Sequence, residues 1–506
     1  MIRSAPLLSL LLGIAACAQT PPSPGADPAD VHASSDAGRS PLSSLWSIHA
    51  PAHSPAGAWV PIVVRAPDHH EGTIAVQING ESQELRLHRG LGSRVHVLGD
   101  APLDMALADA DVSATIEPID LPVRSLSGVL EAEDLSWDSA SLVEITNSVL
   151  VPAGSTLEIT AGAHVQLAPL ARIEIAGELR IEGTSEEPVV FSPGSSEPWG
   201  ELHLMPGSSA SASHAWWLGG GGDASRSFGH SNSQPVIRVE DATFEAVGGG
   251  VLDSPGKALG ASDARVTLTD VLLSRCDTGG EFERSQLLAT GCHVLEIPDA
   301  DGAAEDDDND GMYFLDALLE DGSPLESRIL DTVFSLGEDD GIDHNGAHVH
   351  VERCRISGFR HEGVAASNGG RIRVRDTWIE GCEQGIEAGY GDPEVLVEHS
   401  VVVYNDHGLR MGDAYDWEVD GTLTVTDTIS VNNRVSNVWN HVVRLDGPTP
   451  GAITIGCSMV DDPTWDGIDG NIPGIPRWDA SGCLSEDSMG RGAACDALDI
   501  GLLTCP

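Results

Sequence analysis

The chain has 506 residues, enough for two or three folded units, and sets 27 Lys+Arg against 78 Asp+Glu for a formal net charge of −51. Such an excess repels phosphate backbones and anionic headgroups, which excludes nucleic acid as a partner. Lys257 is the sole lysine, and the remaining basic side chains are arginines that hold their protons, so chemistry built on a lysine base is not expected.

In chain order, Met1-Ile2-Arg3 precedes an apolar run from Leu7 to Ala16 and then Cys17. About ten apolar residues are too few to cross a bilayer but suit a secretory signal. The junction Ile14-Ala15-Ala16-Cys17 resembles the bacterial lipobox. That resemblance implies a lipoprotein signal over 1–17 in which Cys17 is acylated and becomes the new N-terminus after cleavage, and export to the cell envelope, at the outer membrane or cell surface, with the lipid anchor as the only membrane attachment. Residues 18–44, rich in Pro, Ser, Ala and Asp, read as a disordered tether. Between 45 and 125, short alternating runs such as Trp59–Arg65, Thr73–Ile78, Leu85–His88 and Val95–Leu98 are cut by Gly, Asp and Asn turns, the pattern of a small β-sandwich-like domain.

From Val149 to Phe191, strands of about four residues alternate and end at glycine corners. This stretch, with Trp199-Gly200 after it, resembles the opening coils of bacterial right-handed parallel β-helix proteins. Downstream, a polar pair precedes Gly and an aliphatic residue in Asp339-Asp340-Gly341-Ile342, His361-Glu362-Gly363-Val364, Glu383-Gln384-Gly385-Ile386 and Asp406-His407-Gly408-Leu409. The glycines are 22, 22 and 23 residues apart. A period in the low twenties with short strands and no helical periodicity is one solenoid coil. Gly311, Gly280 and Gly250 precede Gly341 by 30, 61 and 91 residues, so earlier coils carry longer loops. The expected fold class is therefore all-β: a right-handed, single-stranded parallel β-helix over 126–445, preceded by the small sandwich and expected to be a monomer. The sandwich or first coils and the tail are the expected caps. The tail, 446–506, holds Cys457, Cys483, Cys495 and Cys505, candidates for disulfides in an oxidising compartment. Cys276, Cys292, Cys354 and Cys382 lie in repeats, where a buried thiol and a bridge both remain open.

Stacked coils gather the residues before each glycine into a column of Asp310, Asp340, Glu362, Gln384 and His407, with Asp308, Asp339 and Glu383 close by. Carboxylates about 4.8 Å apart repel by roughly 3 to 4 kcal/mol at an effective dielectric near 20, so a cation, arginine neighbours or a retained proton must compensate. A cation points to Ca²⁺ at Asp306, Asp308, Asp310, Asp340 and Glu362. The stretch Asp306 to Gly311 alternates like a calcium loop, but Ala317 stands where an EF-hand needs Glu. A looser calcium site and a solvated acidic loop both stay open.

The order Asp308-Asn309-Asp310-Gly311, Asp339-Asp340, then His361 resembles polygalacturonase-type glycosidases. The resemblance implies Asp310, Asp339 and Asp340 as catalytic carboxyls with His361 in support, in inverting hydrolysis. The sequence departs from that family in Asp308, in Arg360-His361-Glu362-Gly363, and in the missing lysine of the Arg-x-Lys pair. A lyase using Arg410 near Asp413 is a further alternative. Trp216-Trp217, Tyr415 and Trp417 could stack on sugars or merely cover the solenoid. His344, His348, His350, His399 and His407 could bind metal, but His348, His350 and His399 sit on repeating strands with no ligand spacing and read as outward-facing polar residues. The favoured expectation is a non-enzymatic envelope lipoprotein binding a polysaccharide or other envelope component. The alternatives are a polysaccharide glycoside hydrolase and a structural spacer.

Overall fold

The computed structural model describes residues 46–67, 70–107, 110–298, 308–316, 318, 322, 325–412, 419–440, 452–479 and 482–504. Cys17, Asp306, Asp413, Tyr415, Trp417 and Cys505 lie outside the described residues. No helix among those described is long and apolar enough to cross a membrane.

Two small sheets come first. Ser47–His49, Trp59–Arg65 and Leu91–Val97 pair antiparallel, and a second sheet runs in the order His53–Pro55, Val112–Ile119, Leu103–Leu107, Gly72–Ile78, Glu81–Leu87. Their alternating apolar positions, among them Val60, Ile62, Val64, Val76, Leu87 and Ile116, close on a shared core. This is the sandwich that period-two patterning demands.

From Val123 to Val460 the chain winds into a right-handed parallel β-helix, with each strand pairing in parallel with its counterpart one coil away. Three sheets result. The first includes Arg265–Thr269, His348–Glu352 and Arg371–Arg375; the second Leu272–Cys276, Val333–Gly337 and Trp378–Glu380; the third Gly280–Glu283, Met312–Leu315, Ile342–Asn345, Glu362–Ser367, Gln384–Ala388 and His407–Met411. Inward positions stack in rows, such as Val351, Val374, Val397 and Val425 on the first sheet, all within one continuous core. Burying each such side chain contributes about 1.5 to 3 kcal/mol, and a register slip of one residue would turn a whole strand inside out.

The corners explain the repeat. At Gly341, Gly363 and Gly385 an added Cβ would lie 2.6, 2.8 and 2.6 Å from the carbonyl oxygen of the next aligned glycine. Close approach therefore requires glycine there, and the column expected from the spacing exists. Between the first and second sheets the corner residue is left-handed instead, at Asp331, Arg353, Asp376, His399 and Asp427. The position after it carries a ladder of hydroxyls. The amides of Cys354, Thr377, Ser400 and Thr428 donate to Thr377, Ser400, Thr428 and Ser458 at 3.1 to 3.3 Å. Cys354 occupies a rung of this ladder as a thiol, and Cys276, Cys292 and Cys382 are likewise free and buried.

Parallel pairing continues through Ala452–Gly456 and Met459–Val460, beyond the expected boundary at 445. Part of the tail covers the last coil, where Ile472 bridges Met459 and Asn471 donates to the Ile455 carbonyl, while the N-terminal domain and the rest of the tail lie along the side of the helix and not at its ends. The second sheet turns apolar residues outward, which is the physical reason. Val190, Leu218, Leu252, Leu272 and Leu295 receive Val63 and Leu91 of the N-terminal domain. Farther along, Val401, Val403, Ile429 and Val431 receive Leu484, Ala494 and Ile500 of the tail. A Cys457–Cys495 disulfide ties the last coil to that tail, and Cys483 is also disulfide-bonded.

Candidate functional site

On the third sheet, residues two places after each aligned glycine face away from the core. Gly279, not the expected Gly280, aligns with Gly311, and Gly250 pairs with Leu272 on the second sheet and is outside the column. Glu281, Tyr313, Asp343 and Ala365 are in register. Val364 pairs with Ile386, which sets Ala365 beside Glu387, and Glu387, Arg410 and Trp439 continue the row. Beside this row runs the column before the glycines. The Asp310 carboxyl accepts the Asp340 amide at 3.3 Å, and the Asp340 carboxyl accepts the Glu362 amide at 2.7 Å. Gln384 then donates to Glu362 and accepts from Arg410, and Arg410 pairs with Glu387 at 3.0 Å. The acids thus follow one another for three coils before an amide and then a cation meet them.

Burial pushes Asp310 and Asp340 well above the carboxylate range, with Asp339 and the adjoining acids adding to it. Glu362 is raised chiefly by burial. Asp343 is pushed up to about 8 by burial, then by Asp339 and Glu362. Asp343 therefore holds its proton at neutral pH, and burial favours the protonated form of the other three as well. At the rim, His361 Nδ1 meets Asp339 Oδ1 at 2.6 Å. That bond, together with the Asp339 charge, lifts His361 to about 9 despite partial burial, so it stands as an imidazolium beside its counter-ion.

Aromatic groups flank the row. His230 stacks on Tyr313 with ring centroids 4.6 Å apart, and Asn345 donates to Tyr313 Oη and Tyr390 Oη at 3.2 and 3.3 Å. Arg410 lies over Trp439 at 4.8 Å. The His230 loop is fastened by Glu281, which accepts the His230 and Ser231 amides at 2.7 and 2.9 Å and pairs with fully buried Lys257. Burial lowers the Lys257 pKa. Its ammonium also donates to Phe228 O at 2.5 Å, so the one lysine of the chain is structural support next to the acids.

Of the residues expected as catalytic, Asp310, Asp339, Asp340 and His361 do gather on this face. Oxygen and nitrogen atoms of Asp339, Asp340 and His361 all lie within 4.8 Å of one another. Of the expected calcium set, Asp310, Asp340 and Glu362 form a row in which the first two accept backbone amides and Glu362 accepts the Gln384 side-chain amide, whereas Asp308 sits 3.7 Å from His230. Trp217 is inside the core, stacked on Phe191 at 5.8 Å, and Trp216 packs toward the N-terminal domain, so neither is a sugar platform. His344 faces the interior and is pushed down to about 4 by burial. His399 is a corner residue held by Asp496 at 3.1 Å. Sequence reasoning missed Asp343, Tyr313, His230, Glu281 and Glu387. The signal was present, because extending each glycine register by two residues names Tyr313, Asp343, Ala365, Glu387 and Arg410.

No family model matches the chain, and no curated protein matches it. Among solved structures it is similar to the periplasmic alginate epimerase AlgG, at 10% identity over 66% of this chain and 85% of that chain, with a TM-score of 0.36. It is similar to the catalytic unit of a GH87 α-1,3-glucanase from Streptomyces thermodiastaticus, at 14% identity over 84% of this chain and 87% of that one, TM-score 0.32. Pectate lyase Pel9A follows at 13% identity, 72% and 87% coverage, TM-score 0.24. Likeness of this degree carries no chemistry across.

Proposed function

We propose that this is an exported, lipid-anchored protein whose third sheet binds a neutral polysaccharide and cleaves its glycosidic bonds by acid–base catalysis. The observation that supports the reading is a carboxyl held neutral on the same face as an aspartate bonded to an imidazolium. Asp343 holds its proton up to about pH 8, and Asp339 is bonded to the His361 imidazolium. Paired titratable groups driven into opposite protonation states are the hallmark of an acid and its base. In this reading Asp343 protonates the glycosidic oxygen as the bond to carbon breaks, and Asp339 accepts the proton of the attacking water. His361 positions Asp339, while exposed His230, backed by buried Tyr313, offers a ring face to sugar. A neutral glycan fits better than a polyuronate, which the chain's net charge of −51 would repel.

The test is turnover of a panel of neutral and acidic polysaccharides, with new reducing ends and unsaturated products measured separately. Reducing ends from a neutral glycan, lost in both Asp343→Asn and Asp339→Asn, support hydrolysis. Binding without release returns the protein to the class of glycan-binding modules, and unsaturated products mean elimination instead. A second reading has its own motive in the closeness of Asp339, Asp340 and His361: Ca²⁺ rather than protons offsets the row. Tight calorimetric binding of Ca²⁺ at pH 7, abolished by Asp340→Asn, would favour it.

A further inference from the structure

A cleft of about 560 Å³ lies between the N-terminal domain and the second sheet, away from the carboxyl row on the third. That volume is in the range of small-ligand sites. Trp59, Arg86 and Arg94 form one wall, and Asp253, Arg275 and Glu296 line the helix side. The helix side is electrostatically closed. Arg275 donates to both Asp253 oxygens at 2.6 and 3.0 Å and to Glu296 at 2.8 Å.

The opposite wall is not closed. Among the described residues neither Arg86 nor Arg94 enters an ion pair, and Arg94 Nε is buried with no hydrogen-bond partner. Half-buried Trp59 and Val97, 54% exposed, place apolar surface beside these guanidinium groups. On this wall two arginines outside any ion pair among the described residues face one lining acid, Glu84, which sets up a local preference for an anion.

We propose that this cleft is a second ligand site, independent of the third sheet, for a carboxylate-bearing saccharide. The guanidinium fork matches a carboxylate with two parallel hydrogen bonds, and an indole face suits the apolar face of a sugar ring. Across the whole lining Arg86, Arg94 and Arg275 are balanced by Glu84, Asp253 and Glu296. A singly charged carboxylate therefore fits better than a doubly charged phosphate.

The test is calorimetric titration of the purified full chain with a glucuronosyl-glucose disaccharide, which carries one carboxylate, with lactose as the neutral disaccharide and with inorganic phosphate. The uronate disaccharide is expected to bind at a single site, weaken as salt is raised, and lose at least tenfold in affinity in both Arg86→Gln and Arg94→Gln. Arg86 is exposed, so its variant retains the wild-type melting temperature and carries the test if Arg94→Gln does not fold. Absence of saturable binding to the wild type overturns the proposal. So does undiminished affinity in a folded Arg86→Gln protein, and so does lactose or phosphate binding as tightly as the uronate.

Discussion

Asp343→Asn replaces a carboxyl that is neutral up to about pH 8 with an amide of nearly the same shape. In the wild type, between roughly pH 4 and 8, the native chain holds a proton that the unfolded chain has released. Stability from this group is therefore fully present below that window and falls as pH rises through it. The displacement from 3.8 to about 8 sets a ceiling of roughly 5 to 6 kcal/mol at about 1.4 kcal/mol per unit. Asp339 and Glu362 share that load, and one pair of carboxylates about 5 Å apart repels by only some 3 kcal/mol at an effective dielectric near 20, so the expected effect is about 2 to 4 kcal/mol. The asparagine variant has no proton to lose. Its stability relative to wild type should thus increase by that amount between pH 5 and pH 9 in urea unfolding, while glycan cleavage drops about 10² to 10⁴-fold. Parallel unfolding profiles across pH, or a variant that loses ground as pH rises, would refute the reasoning that Asp343 is buried among acids.

The His361 ring should titrate near pH 9 by NMR and fall toward 6.5 in Asp339→Asn. Because its folded pKa is raised, the stability it contributes is complete below about pH 6.5 and disappears through pH 9, a loss the His361→Gln variant should not show. Gly363→Ala should destabilise the helix by about 1 to 3 kcal/mol, since its Cβ would lie 2.5 Å from Ile379 Cγ2 and 2.8 Å from the Gly385 carbonyl. A lower urea midpoint would register it, and an unchanged midpoint would mean that the coils are less tightly apposed. Radiolabelled palmitate should enter the wild type and not Cys17→Ser; equal labelling of both would remove the lipid anchor.

The coil was legible because its cause is local: glycine is required wherever one corner lies on the next, so Gly341, Gly363, Gly385 and Gly408 recur at nearly constant spacing. The acids before those glycines were legible for the same reason. Tyr313, Asp343 and Glu387 escaped notice because their identities vary from coil to coil, although their register is fixed by the same glycines. His230 and Lys257 were hidden for a different reason. His230 reaches the face from a long loop, and Lys257 approaches it through Glu281, contacts that depend on where a loop folds back. The outward apolar rows of the second sheet alternate with inward ones, so in sequence they read only as buried strands, without revealing that the N-terminal domain and the tail cover them.

Elsewhere this helix follows a simple electrostatic rule. An acid is met one coil away by an arginine, as in Asp253 with Arg275 at 2.6 Å, Asp263 with Arg284 at 2.7 Å, Asp331 with Arg353 at 2.9 Å, Glu380 with Arg355 at 2.7 Å and Glu394 with Arg371 at 2.6 Å. Stacking at about 4.8 Å makes such pairing the least expensive way to carry charge on a parallel sheet. The row from Asp310 through Asp340 to Glu362 breaks the rule in succession, with Asp343 alongside and burial raising every member. A chain able to place an arginine one coil away at five other positions did not place one here. Where a protein departs from its own local solution and accepts the destabilisation, a functional site is the expected cause. This departure, rather than any likeness to another protein, is what singles out the third sheet.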